Sequence, residues 1–223
     1  MRVVIFANGV IQDLDDVSSR WIRSGDILAA ADGGTRYALE AGLMPDYVIG
    51  DLDSLSDELR TRLTSAGTEF HTSPAAKDET DLELALMWAA ETPGVTEIVI
   101  LGAFGGRPDQ ELANMLLLAL PDLVAHHVLM VDGAWTVQLI RPGVHTVLQG
   151  SPGDRLSLIP LGGTARGIRT TGLAFPLEGE ALAFSKGRGV SNRFEAELAT
   201  VDVQEGLLWC FHEHNPDAPS PGV

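Results

Sequence analysis

The chain has one cysteine, Cys210, in 223 residues, so an intramolecular disulfide is excluded and a reducing, cytoplasmic setting is expected. It has no apolar run of about 18 residues, the length a membrane-spanning helix needs. The opening "MRVVIFANG" has too short an apolar run for a secretory leader and no small-residue cleavage site, so it reads as a first strand. Basic residues are scarce: 15 Lys and Arg stand against 31 Asp and Glu, a net charge of −16. That balance excludes the Lys/Arg stripe of a nucleic-acid binder. Most of the acid serves solubility. An acidic protein that binds phosphates, however, needs a metal ion to bridge like charges. There is no Gly-Lys-Ser/Thr phosphate loop, no G-x-G-x-x-G fingerprint and no zinc spacing among the scattered histidines. His212 and His214 fall in a polar, Pro-rich end that reads as a frayed tail.

What is present is a hydrophobic content of 45%, enough for a sizeable core. Over about 130 residues, short apolar runs alternate with helix-like segments: "VVIFANG", "DILAAADGG", "DYVIGDLDS", "TEIVILGAFGG" and "HVLMVDG". This spacing predicts βαβ units and a mainly parallel sheet. From Thr136 the texture changes to "TVQLIRPG", "HTVLQG", "DRLSLIPLG", "GIRTTG", "LAFPLEG" and "EALAFS", short β-rich pieces separated by Gly and Pro. These predict a small antiparallel sandwich or barrel. The expected domains are 1–135, 136–213 and a flexible tail at 214–223.

In parallel sheets, ligands bind beyond the carboxyl ends of the strands, and the acidic residues concentrate there. Asp32 follows "ILAAA" and precedes Gly33 and Gly34; Asp51 and Asp53 follow "YVIG". Asp78 and Asp81 lie in "KDETDLELAL", and Asp109 in "GAFGGRPDQELAN". Each has a structural alternative. Asp53 or Ser54 can cap the helix of "DELRTRL". Asp78 and Asp81 suit the positive end of a helix that starts at Asp81, with Thr80 and Glu83 as a capping box and Leu82, Ala85, Leu86 and Ala89 as its buried face. Gly102, Gly105 and Gly106 suit a tight turn before a helix whose first turn holds Pro108 and whose buried face is Leu112, Met115, Leu116 and Ala119. The functional alternative for "GDLDS" is Mg²⁺, a hard cation that bridges carboxylates to substrate phosphates. Arg107 offers a fork of donors to phosphate oxygens. "GRGVSN" alone reads as a Gly-rich hairpin turn.

Each motif is weak singly, but the ordered set "ADGG", "PDYVIGDLDS", "KDETDLELAL", "GAFGGRPDQELAN" and "GVSN" resembles the thiamine pyrophosphokinase family. The resemblance runs from Asp32 to Asn192. It implies an N-terminal α/β domain, a C-terminal β-sandwich that binds thiamine and dimerises, and homodimers with active sites shared between subunits. It implies transfer of pyrophosphate from ATP to thiamine. It places Asp51, Asp53 and Asp81 on Mg²⁺, and Asp51, Asp53, Asp78, Asp81, Arg107 and Asp109 in catalysis. ATP falls to Asp32, Gly33, Gly34, Lys77, Gly105, Gly106, Arg107, Asp109 and Gln110, and thiamine to Asp51, Ser191 and Asn192. Two departures stand out: Pro108 replaces a larger apolar residue within "GRxD", and Arg193 follows "GVSN" where Glu is frequent. The alternatives are a pyrophosphokinase for a hydroxymethylpterin, which would lack the thiamine-contacting sandwich, and a non-catalytic nucleotide or thiamine sensor.

Overall fold

The apolar runs of the first part form strands that read almost without polar interruption, as strands buried on both faces do. The computed structural model describes residues 1–74 and 76–215. The strands are β1 (Arg2–Phe6), β2 (Ile27–Ala31), β3 (Tyr47–Gly50), β4 (Glu69–Thr72), β5 (Glu97–Leu101) and β6 (His127–Asp132). All are paired in parallel, in the order β4-β3-β2-β1-β5-β6. Val4 sits in register with Leu28 on one side and Val99 on the other. The chain works outward from β1 to β4, then returns to β5 beside β1. The crevice at the ends of β1 and β5 is therefore the point where strand order reverses, the usual ligand position in such sheets.

The helices of this part are α1 (Leu14–Trp21), α2 (Thr35–Glu40), α3 (Asp57–Ala66), α4 (Asp81–Glu91) and α5 (Pro108–Leu117). One core gathers Phe6, Val17, Trp21, Leu63 and Val99. α4 follows its sequence pattern. Thr80 caps it, its Oγ1 accepting from Glu83 N at 3.2 Å, and Leu82, Ala85, Leu86 and Ala89 are buried. α3 is capped by Ser56, not by Asp53 or Ser54, because its first turn begins only at Asp57. α5 corrects the periodicity: Leu112 and Leu116 are 54% and 46% exposed and no residue of the helix is buried. The helix turns Asn114 inward instead, where Nδ2 donates to the carbonyl of Ala103 at 2.7 Å.

The chain divides into two compact units, Met1–Gly133 and Ala134–Val223. The second is antiparallel throughout. Its strands are β7 (Trp135–Ile140), β8 (Thr146–Gln149), β9 (Arg155–Thr171), β10 (Glu178–Leu182), β11 (Asn192–Arg193), β12 (Leu198–Asp202) and β13 (Glu205–Glu213). "DRLSLIPLG" and "GIRTTG" are one strand, β9, rather than two. Gly162, at φ +72°, and a bulge between Leu161 and Arg166, which pair with Leu207 and Glu205 of β13, let β9 bend without ending. Its first half pairs with β13, which also pairs with β7; its second half pairs with β10 and β12, and β12 pairs with β8. Side chains from both ladders, among them Ile140, Leu156, Ile168, Phe194, Val201 and Leu208, share one core.

His212, His214 and Asn215 are held within the second unit. His212 lies within β13 and is 3% exposed, its Nε2 3.1 Å from Asp154 Oδ2. Burial pushes its pKa down, and the adjacent Asp154 pulls against that shift. His214 N donates to Ala134 O at 2.8 Å, and Asn215 N donates to Asp154 Oδ1 at 3.0 Å. The rest of the expected tail, 216–223, lies outside the described residues.

Candidate active site

Backbone crowding at the strand ends shapes the site. Beyond β1, Gly9 N donates to Gly102 O at 2.8 Å and Val10 N to Phe104 O at 2.6 Å. A Cβ on Gly9 would lie 2.3 Å from Phe104 O, so only glycine permits this approach. Beyond β2, residues 32–34 form a single 3₁₀ turn in which Asp32 takes φ +36°, a strained value for a side-chain-bearing residue. Beyond β3, Gly50 sits at φ +143°, and a Cβ there would lie 2.9 Å from both Asp32 Cβ and Asp81 Oδ1. Gly50 is thus the gap through which carboxylates from three segments converge.

Leu52, at φ +63° and 4% exposed, anchors the turn between Asp51 and Asp53. Asp51 Oδ1 accepts from Asp53 N at 3.1 Å. Carboxylate oxygens of Asp32, Asp51 and Asp53 all lie within 4.8 Å of one another. Asp32 is 6% exposed, and its Oδ1 has no hydrogen-bond partner among the described residues. Burial raises the Asp32 pKa. A hydrogen bond from Ser54 opposes the rise, and the charges of Asp81, Asp53 and Asp51 add to it. Three converging carboxylates, one of them buried with one oxygen unpartnered among the described residues, fit a divalent oxygen-seeking cation such as Mg²⁺. The close trio contains Asp32 where the sequence reading put Asp81. Asp81 opens α4 beside it and binds Lys77 Nζ at 2.5 Å.

A cavity of about 570 Å³ opens over this edge of the first unit. Of the residues expected at the site, Gly33, Asp51, Lys77, Asp81, Gly105, Gly106, Arg107 and Gln110 line it. Asp32 and Asp53 belong to the carboxylate trio, and Gly34 packs beneath, where a Cβ would lie 1.9 Å from Phe6 O. Asp78 is exposed in the segment before α4. Arg107 grips Asp109 with two hydrogen bonds, 3.1 and 2.6 Å, with both side chains largely exposed. That pair raises the Arg107 pKa and lowers that of Asp109.

Among the lining residues to which the sequence motifs give no role are Asn8, Arg36 and Asn114. The rule that ligands gather at strand carboxyl ends already covered Asn8, which directly follows "VVIFA". Arg36 sits on a short helix with no motif of its own. Its guanidinium lies 4.5 Å over the Tyr37 ring and donates to Gly9 O at 3.2 Å. Asn114 lies outside the expected apolar face of α5, Leu112, Met115, Leu116 and Ala119, and no motif gives it a role. Glu111, one turn earlier, holds the glycine turn by accepting from Gly105 N at 2.9 Å.

Ser191 and Asn192 belong to the second unit. Ser191 takes φ +64°, and its N donates to Ser157 Oγ at 3.1 Å. The Asn192 amide clamps Phe175, accepting from its N at 3.0 Å and donating to its O at 2.8 Å.

Residues 19–129 match the family described as "Thiamin pyrophosphokinase, catalytic domain", and residues 144–208 match "Thiamin pyrophosphokinase, vitamin B1 binding domain". A thiamine pyrophosphokinase of Bacillus subtilis is 31% identical over 178 residues, covering 79% of this chain and 82% of that protein. The chain belongs to the thiamine pyrophosphokinase family. Among solved structures, thiamine pyrophosphokinase from Bacillus subtilis superposes with a TM-score of 0.82 at 27% identity, covering 96% of this chain and all of that one. The Geobacillus thermodenitrificans thiamin pyrophosphokinase gives 0.80 at 27% identity, covering 97% and 99%. Membership makes this chain an enzyme, of mixed-sheet fold with few helices. The carboxylate trio and the Arg107–Asp109 fork fall inside the stretch matched as catalytic, as does the cavity lining apart from Ala7, Asn8, Gly9 and Val10. Ser191 and Asn192 fall inside the stretch matched as vitamin B1 binding. Among the described residues, no helix is long and apolar enough to cross a membrane.

Proposed function

We infer that this protein transfers pyrophosphate from ATP to the hydroxyethyl oxygen of thiamine, giving thiamine diphosphate and AMP. The observation that carries the reading is the 31% identity to a named thiamine pyrophosphokinase across most of both chains. The strand-end cavity supports it with groups suited to a nucleotide's phosphates. In this reading the parallel unit is the α/β catalytic domain, and the antiparallel unit is a β-sandwich that binds thiamine.

Asp51, Asp53 and Asp81, with Asp32 beside them, would hold Mg²⁺, which when bound offsets charge on the phosphates. The chain's own groups do the rest. The Gly105–Gly106 turn, with Lys77, Gln110 and the Gly33 turn, seats ATP. Arg107, steered by Asp109, donates to phosphate oxygens as charge builds at transfer. Asp81 lines the cavity and Asp78 does not, which favours Asp81 as acceptor of the thiamine hydroxyl proton. The hydroxyl oxygen bonds to the β-phosphorus, the bond from that phosphorus to the α–β bridging oxygen breaks, and AMP leaves with that oxygen. Positioning and charge stabilisation account for such a transfer without a covalent intermediate. Asp51, Ser191 and Asn192 are the proposed thiamine contacts, the last two supplied from a second subunit of a homodimer. A cytoplasmic location completes the reading; the buried Cys210 thiol, its pKa pushed up to about 12, is unreactive and suits it.

The test is an assay of purified protein with ATP, Mg²⁺ and thiamine, read as AMP and thiamine diphosphate. Absence of both products across metals and pH would sink the proposal. Asp53→Asn is expected to lower kcat by about 100-fold or more while leaving the thermal midpoint in place. A fully active variant removes Asp53 from the metal site. Molar mass in solution tests the homodimer.

A further inference from the structure

The second unit holds a constellation that the proposed reaction does not use. Asp154, His212 and His214 each bring one ligand atom within 4.8 Å of the other two. Asp154 and His212 are buried, at 5% and 3% exposure. The carboxylate is oriented from outside the trio: Ser151 N donates to Oδ2 at 2.8 Å, and Asn215 N to Oδ1 at 3.0 Å. The His212 ring is fixed by stacking on Phe194, centroids 4.6 Å apart, and His214 Nε2 lies 3.0 Å from Thr136 Oγ1. Metal-binding imidazoles and carboxylates are held by outer partners of this kind. Gly150 adds a second, independent feature. A Cβ there would lie 2.9 Å from His212 Nε2, so only glycine leaves room beside that ring nitrogen.

We propose that Asp154, His212 and His214 form a binding site for one late first-row divalent cation of the Zn²⁺ class, distinct from the strand-end carboxylates. Two imidazoles and one carboxylate suit zinc far better than magnesium, which selects oxygen ligands alone. The cation takes the place of the proton shared between His212 Nε2 and Asp154 Oδ2, 3.1 Å apart. Water completes the coordination. Bound there, the ion ties the end of β13 to the turn that precedes β9, so it stabilises the folded unit.

The experiment titrates full-length protein, freed of metal by chelator dialysis, with Co²⁺ as a coloured substitute for Zn²⁺. Parent and Asp53→Asn are expected to bind one equivalent that gives visible ligand-field bands, bleached by Zn²⁺. His214→Ala is expected to lose the bands and bind at least about tenfold more weakly, and Gly150→Ala to weaken binding in the same sense. Proton NMR of the unmodified protein provides a reading that needs no variant: one equivalent of Zn²⁺ shifts the imidazole C–H signals of His212 and His214. Unshifted signals, absence of bands in the parent, bands that survive in His214→Ala, or bands lost in Asp53→Asn would each overturn the proposal.

Discussion

Asp32 carries the tension of the site in a single residue. It is buried, backbone-strained and next to three other carboxylates, and one of its oxygens has no partner among the described residues. Its pKa is raised, so the folded protein holds that proton more tightly than the unfolded chain does. The resulting stabilisation is complete below the ordinary carboxylate range and is lost as pH rises through the raised pKa. Above that raised pKa and without a divalent cation, ionised Asp32 therefore weakens the fold. Asp32→Asn should melt higher than the parent at pH 7 in chelator, and the gap should close as pH falls through the carboxylate range or as Mg²⁺ is added. Its turnover should drop. Equal melting at pH 7 in chelator would refute the argument. Gly50→Ala tests the same convergence from the backbone. The added Cβ would press on Asp32 and Asp81 at a φ of +143°, so a loss of about 1–3 kcal/mol in urea denaturation is expected, with little remaining activity.

Among the elements, α4 shows what a strong local signal yields. Period, cap and buried face all agree, and the helix begins at Asp81 as its sequence indicates. Thr80→Ala removes the side-chain acceptor of Glu83 N, so the chemical denaturation midpoint should fall by the equivalent of about 1 kcal/mol. Lys77 and Asp81 lie on either side of that cap, so KM for ATP should rise in the same variant; an unchanged KM would separate the cap from the site. α5 shows where periodicity misleads. Leu112 and Leu116 have helical spacing, yet both are exposed, and it is Asn114 that turns to the Ala103 carbonyl beside the cavity, which its amide satisfies. Sequence spacing marks a stripe but not whether that stripe is buried. The pieces "DRLSLIPLG" and "GIRTTG" join in one strand, β9, because a bulge absorbs the intervening Gly162 and Gly163.

Across the whole molecule, legibility followed distance along the chain. The acidic strand-end motifs were readable because each is local and a parallel sheet brings its strand ends to one edge. Asp154 and His212 stand 58 residues apart, and only the antiparallel pairing of β9 with β13 places them together. Charge also acts at this scale. A net charge of −16 opposes the approach of ATP, and the cavity edge concentrates the same sign in Asp32, Asp51, Asp53 and Asp81. Lys77 and Asp81 are already paired, and Arg107 with Asp109, so the nearby cations are partly spent on the protein's own acids. Divalent metal is then the main attraction between protein and nucleotide. Calorimetry should show ATP binding at least about tenfold weaker in chelator than in Mg²⁺, equivalent to about 1.4 kcal/mol or more. Raising monovalent salt in chelator should recover part of the loss by screening the repulsion. ATP affinity that is equal with and without divalent metal would show that Lys77, Arg36 and Arg107 suffice, and that the carboxylates serve the thiamine end of the reaction instead.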